Sequence, residues 1–190
     1  MDVKIPLFDG ELVCLAPIDP ERDAEIESKW THDAEYLRSL SLDPARPLSP
    51  AQVKKKYEAL EKDVEEAKNQ FYFAVRLRSD DRLVGFTRIY WIWWTHRSGL
   101  VSLGIGDPGD RKQGYGTEAL GMLLGYAFDE LNLYRLTAVV AEYNQAALRF
   151  FENAGFVQEV RRREAVNRDG RRWDLFHLGL LESEWKGNTR

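Results

Sequence analysis

The chain has 190 residues, 44% of them hydrophobic and 12% aromatic, so one sizeable core is within reach. A formal net charge of −4 supplies no general basic field, which excludes broad electrostatic binding of nucleic acid; a phosphate partner would have to be held locally. The single cysteine, Cys14, excludes an internal disulfide framework and a cysteine-based zinc cluster. With no apolar run of membrane length, a cytoplasmic soluble protein is expected.

The opening MDVKIPLFDG lacks the apolar stretch of a signal peptide, and no repeat or low-complexity tract follows. ELVCLAPI (11–18) predicts a first strand. Asp19-Pro20-Glu21 is a helix start, with an N-cap residue, proline in the first turn and an acid behind it; that helix runs to about Trp30. SLDPARPLSP (41–50) predicts a loop, and Ser49-Pro50 opens a charged helix with a solvated face. FYFAVRLR (71–78), RLVGFTRIYWIWW (82–94) and LVSLGIG (100–106) follow as an antiparallel meander. A helix is expected over about Thr117–Asp129, an apolar strand at 133–143, and a helix from Asn144 to Ala154 stopped by Gly155. FVQEVRRREAV and RRWDLFHLGLL close the chain as a hairpin around NRDG, whose Asp-Gly pair suits a tight turn. The expected class is a mixed α/β (α+β) sheet in a single domain spanning 1–190.

Between the third meander strand and the next helix lies GIGDPGDRKQGYGT (104–117). Free backbone N–H groups ahead of a helix, together with the helix dipole, form an anion site. Glycine lets the backbone approach a phosphate closely, and Arg111 and Lys112 add mobile positive charge. The stretch is not a Walker loop, and GYG lacks the third glycine of a dinucleotide fingerprint. On the residues alone, an ordinary glycine-rich turn capping a helix explains it equally well.

Arg111-Lys112-Gln113-Gly114-Tyr115-Gly116 resembles the R/Q-x-x-G-x-G/A signature of the GNAT superfamily of acyl-CoA-dependent N-acyltransferases. Asp107-Pro108 is similar to the family's strand exit, and Glu118-Ala119 to the opening of its next helix. Asn144, Ala147, Phe150, Phe151, Gly155 and Phe156 fit a second family block in register. LLESEW (180–185) resembles the ending of the RimJ/RimL-like branch. Because the matches run in order through most of the chain, they are far more specific than one glycine loop.

The resemblance implies a central sheet of about seven strands with flanking helices and a V-shaped splay between the fourth and fifth strands. Acetyl-CoA would be the cosubstrate, with no metal. Gly104, Ile105 and Gly106 would face the pantetheine arm, and Arg111, Lys112, Gln113, Gly114, Tyr115, Gly116 and Thr117 the pyrophosphate. Asn144 and Phe151 would lie along the donor. The implied reaction is direct attack of an amine, from a small molecule or a protein N-terminus, on the acyl thioester. Two family donor positions carry Phe151 and Ala147 here, so neither can protonate the leaving thiolate. Asn144 remains as a donor, and Tyr143 is the nearest phenol. Candidate bases are Glu142, Glu164 and Asp174.

Trp91 and Trp93 share one face by alternation, with Tyr90, Ile92 and Trp94 on the other. The aromatic strand is either core and contact surface or an acceptor pocket, in which Trp91 and Trp93 would attract an amine; it and the closing hairpin could also form a homodimer contact. Arg161–Arg163 reads as a solvated sheet edge. The three histidines lack metal-ligand spacing. Two rivals to the transferase are a catalytically weak acyl-CoA-binding domain and an unrelated nucleotide-binding protein.

Overall fold

The computed structural model describes residues 7–188. Within these residues seven strands form one sheet in the order β1-β2-β3-β4-β5-β7-β6. They are β1 (Val13–Ala16), β2 (Phe71–Leu77), β3 (Leu83–Trp93), β4 (Ser98–Ile105), β5 (Arg135–Ala141), β6 (Val157–Arg168) and β7 (Arg171–Leu181). Neighbours are antiparallel except β4 and β5, which run parallel. The expected mixed sheet and meander are therefore present. Ser98–Val101 pairs with Arg135–Ala138, yet β4 continues to Ile105 and β5 to Ala141. Past Val101 the two strands part, and this gap is the splay that the family resemblance implies.

Among the described residues six helices accompany the sheet: α1 (Pro20–Trp30), α2 (Ala34–Leu40), α3 (Pro50–Ala67), α4 (Tyr115–Gly125), α5 (Gln145–Asn153) and α6 (Glu182–Asn188). On one face, Trp30 of α1 and Tyr36, Leu37 and Leu40 of α2 pack on Tyr72, Ala74 and Phe86. A buried ion pair, in which Arg76 Nη2 donates to both Asp23 oxygens at 2.7 and 2.9 Å, fixes α1 to β2. Helix α3 lies over α1 through Val53, Tyr57 and Ala24. On the other face α4 and α5 bury Leu120, Leu123, Leu148 and Phe151 against Ile89, Val101, Leu136 and Leu178. Each fully buried leucine contributes about 1.5–3 kcal/mol by leaving water.

The caps read from the sequence are in place. Asp19 accepts the N–H groups of Glu21 and Arg22, and Ser49 with Gln52 forms a reciprocal capping box on α3. Two helices go beyond the sequence expectation. Helix α2, capped by Asp33, has only seven residues and no long apolar period to announce it. Helix α6 continues directly from β7, whose end pairs with β5. Helix α4 begins at Tyr115 and passes into a π-helical turn, Tyr126–Glu130.

The expected alternation along β3 fails at its end. Trp91 has a left-handed backbone (φ 51°), and the β3–β4 register shifts between Tyr90 and Trp93. The extra residue returns Ile92 to the core face that already holds Ile89, so Tyr90 and Ile92 do not share a face.

Candidate acyl-transfer site

A cavity of about 250 Å³ lies where β4 and β5 separate. Val101–Ile105 and Val139–Val140 form its two strand walls, and Ala146, Ala147 and Phe151 of α5 close one end. Glu35, Tyr36, Ser39 and Leu40 of α2 cover it. The short helix that the sequence did not announce thus supplies one whole side. Helix α2 is held there by backbone carbonyls at its end: Tyr143 Oη and Arg168 Nη1 each donate to Arg38 O at 2.8 Å, and Asn144 Nδ2 to Ser39 O at 3.2 Å.

The loop before α4 has the anion-site geometry. Asp107 caps a short helical turn, Pro108–Asp110, and Gly114 takes a left-handed conformation (φ 89°) at the N-cap of α4. Glu118 N returns to Gly114 O, but the N–H groups of Gln113 to Thr117 have no partner among the described residues. They project from the first turn of an eleven-residue helix, where the dipole favours an anion. Lys112 is exposed beside them. Arg111 is not the mobile cation expected: it donates to Gly106 O at 2.9 Å, pairs with Asp33 at 3.4 Å and lines the cavity. Tyr115 packs on the core under the loop, Gly116 is half-buried, and Thr117 lines a separate groove with Phe150. Glu118 is structural, its carboxylate accepting the N–H groups of Glu11, Leu12 and Val13 at 2.7–2.8 Å.

Gly104 and Ile105 line the cavity; Gly106 is buried just beyond. Both glycines have a packing reason. A Cβ on Gly106 would fall 2.0 Å from the Trp30 ring, and one on Gly104 within 2.9 Å of Leu40 and Phe86. Phe151 and Ala147 line the cavity, without a polar hydrogen to give. Asn144 lines it too, with both ends engaged: Oδ1 accepts Ala147 N at 3.0 Å, capping α5, and Nδ2 holds α2.

The three expected bases gather elsewhere. Glu142 Oε2 accepts Asp174 N at 3.0 Å, Asp174 Oδ1 accepts Glu164 N at 2.8 Å, and Arg161 pairs with Asp174. Glu164 is exposed, in a left-handed backbone (φ 52°) where β6 slips register between Arg162 and Val166. Asp174 therefore stabilises a bulge. The hydrogen bond from Glu164 N–H, reinforced by Arg161, lowers its carboxyl below the ordinary range. None of the three lines the cavity, whose single carboxylate among the described residues is Glu35. Glu35 follows the N-cap Asp33, which accepts its N–H at 2.9 Å. An Asp two residues before a Glu was the available signal, but α2 was too short to read.

Trp91 and Trp93 are each 67% exposed and do not line the cavity; Tyr90 does. Burial raises the Tyr36 phenol well above its usual value, so it stays protonated. Among the described residues, no group of three His, Cys, Asp or Glu is placed to hold a metal, and no helix is long and apolar enough to cross a membrane.

Known proteins resemble this chain in sequence and in fold. A family model described as an acetyltransferase (GNAT) domain matches residues 13–157. The probable N-acetyltransferase YjcK of Bacillus subtilis is 35% identical over 130 residues, 67% of this chain and 67% of that protein. The uncharacterized N-acetyltransferase YnaD of the same organism is 29% identical over 114 residues, 60% of this chain and 65% of that one. Among solved structures, spermidine N-acetyltransferase from Vibrio cholerae in complex with CoA and spermine superposes with a TM-score of 0.79 at 21% identity. The match covers 93% of this chain and 99% of that one, and at this identity it speaks for the fold. Matched across most of its length by the domain model, with the parted parallel strands and the free N–H loop in place, the chain belongs to the GNAT acetyltransferase family.

Proposed function

We propose that the protein transfers an acetyl group from acetyl-CoA to a primary amine by direct attack. One observation carries the reading: the unpartnered N–H groups of Gln113–Thr117 stand at the helix end next to the gap between β4 and β5. The loop suits the pyrophosphate, and the gap suits the pantetheine arm, whose amides would pair with strand edges left free past Val101. The thioester would then lie in the cavity under α2.

The amine nitrogen attacks the thioester carbon, a C–N bond forms and the C–S bond breaks. An ammonium must first lose a proton. Glu35 is the carboxylate lining the cavity and takes that role, directly or through water. Phe151 and Ala147 leave the thiolate without the side-chain acid expected from the family pattern. A thiol of ordinary pKa, about 8.5, is a tolerable leaving group without one. The same two residues favour a second reading, a domain that binds acyl-CoA with weak turnover.

Thermal denaturation with acetyl-CoA, CoA and ATP tests the donor. The expected result is a rise in melting temperature with both CoA species and none with ATP. A flat response to the CoA species removes both readings. Thiol release over an amine panel then separates them, because the binding domain gives a shift without turnover.

A further inference from the structure

Among the described residues, three buried donors on the sheet face that carries α1 and α2 have no acceptor: Tyr36 Oη, Tyr72 Oη and Arg88 Nε. They belong to one neighbourhood. Strand register sets Arg88 beside Tyr72 on β2 and Ser102 on β4. Tyr72 and Tyr36 pack in one cluster. Tyr36, Ser102 and Tyr90 all line the cavity; Arg88 stands one layer behind that lining, its guanidinium 4.3 Å from the centre of the Tyr90 ring.

Among the described residues, Arg88 differs from the other arginines that are not fully exposed. Arg76 has Asp23, Arg97 has Glu182 and Asn132, Arg111 has Asp33 and Gly106 O, and Arg135 has Glu159. Arg168 has the carbonyl of Arg38. Among the described residues, no carboxylate lies within 4 Å of the Arg88 guanidinium. Glu27 and Asp23, the buried carboxylates of α1 on this face, are already engaged, Glu27 by Tyr57 and Lys56 and Asp23 by Arg76. The face thus has donors in surplus and a half-buried cation without a counter-charge, an arrangement that is costly until an anionic oxygen arrives.

We propose that the acceptor is a small amine bearing a carboxylate, and that Arg88, behind Tyr90 and Ser102, is the specificity-determining residue that receives that carboxylate. The proposal rests on the N-acetyltransferase reading and sharpens its acceptor class. A guanidinium offers a carboxylate two parallel donors, whereas a polyamine brings a second cation that Arg88 repels.

The test compares free α-amino acids with their carboxamides, and with spermidine, in thiol release by wild type, Arg88→Gln and Arg88→Lys. The expected kcat/KM is at least about tenfold higher for each carboxylate than for its amide, as for loss of one charge-assisted hydrogen bond. The ratio should fall toward one in Arg88→Gln and recover in part in Arg88→Lys. Amides or spermidine used as well as the amino acids by wild type, or a full ratio surviving in Arg88→Gln, overturns the proposal. If no amine is turned over, the transferase reading fails by itself, and binding decides the carboxylate question. Thermal shifts with leucine and leucinamide, in the presence of CoA, should then favour leucine in wild type and not in Arg88→Gln. Equal shifts in wild type overturn the proposal even if Arg88→Gln does not fold.

Discussion

Glu35, Gly106 and Gly114 show how differently single residues serve one site. Glu35 is the cavity's carboxylate, so Glu35→Gln should lower kcat/KM by about 10²–10⁴-fold, the usual range for a general base, with thermal stability nearly unchanged. A steady-state comparison at saturating acetyl-CoA checks this, and activity within twofold of wild type would remove Glu35 from the mechanism. The two glycines separate packing from binding. Gly106→Ala drives a methyl group into the Trp30 ring and should cost about 1–3 kcal/mol in urea unfolding. Gly114→Val disturbs a left-handed N-cap, where the added Cβ would meet Leu12 at 3.2 Å. It should weaken acetyl-CoA at least about tenfold while the domain still folds, since left-handed strain costs only about 1–2 kcal/mol. Isothermal titration with the folded variant gives the answer.

At the scale of elements, two clamps matter. Helix α2 is too short to be stable alone and is fastened by Tyr143, Asn144 and Arg168 to its terminal carbonyls. Arg168→Ala should speed hydrogen exchange of α2 and raise the KM for the amine several-fold, with the acetyl-CoA affinity little changed. Protection of α2 equal to wild type would argue against the clamp. The second clamp is Asp174 under the β6 bulge. Its pKa is lower in the folded chain than the ordinary value of about 3.9, so its stabilising effect is present above that pH. The effect is lost as pH falls through the depressed value. Asp174→Asn should therefore lower the melting temperature at pH 7, and the gap from wild type should narrow in acid below about pH 4. A gap independent of pH would show that charge plays no part.

For the molecule as a whole, the sheet separates two tasks. The α4–α5 face holds the larger apolar core and the glycine-rich loop ahead of α4, while the α1–α2 face carries the buried polar groups and the cover of the cavity. Ligand linkage joins them: acetyl-CoA at about 100 times its Kd should add about 2.7 kcal/mol, or roughly 5–10 °C in melting temperature for a chain of this size. The exposed indoles of Trp91 and Trp93 lie outside this division. Substituting both by serine should leave the KM for the amine within about twofold, and a large rise would return them to the acceptor site.

The strands, the long helices and the glycine-rich loop ahead of α4 were legible in the sequence because period, capping and glycine spacing are local. Ser49-Pro50, Asp19-Pro20 and RKQGYGT each carry their own physical reason within one turn of chain. The parting of β4 and β5 followed from the family resemblance, and the structure locates it after Val101. What sequence could not decide was which distant side chains meet. Glu142, Glu164 and Asp174 stood at strand positions suited to a base, but register gathers them around a bulge. Glu35 arrived in the cavity on a helix too short to show a period, and Tyr90 was separated from Ile92 by one residue of left-handed backbone. Local free energy sets the elements. The tertiary structure alone settles their neighbours, because a single bulge or a seven-residue helix exchanges the side chains that face the cavity without changing any pattern along the chain.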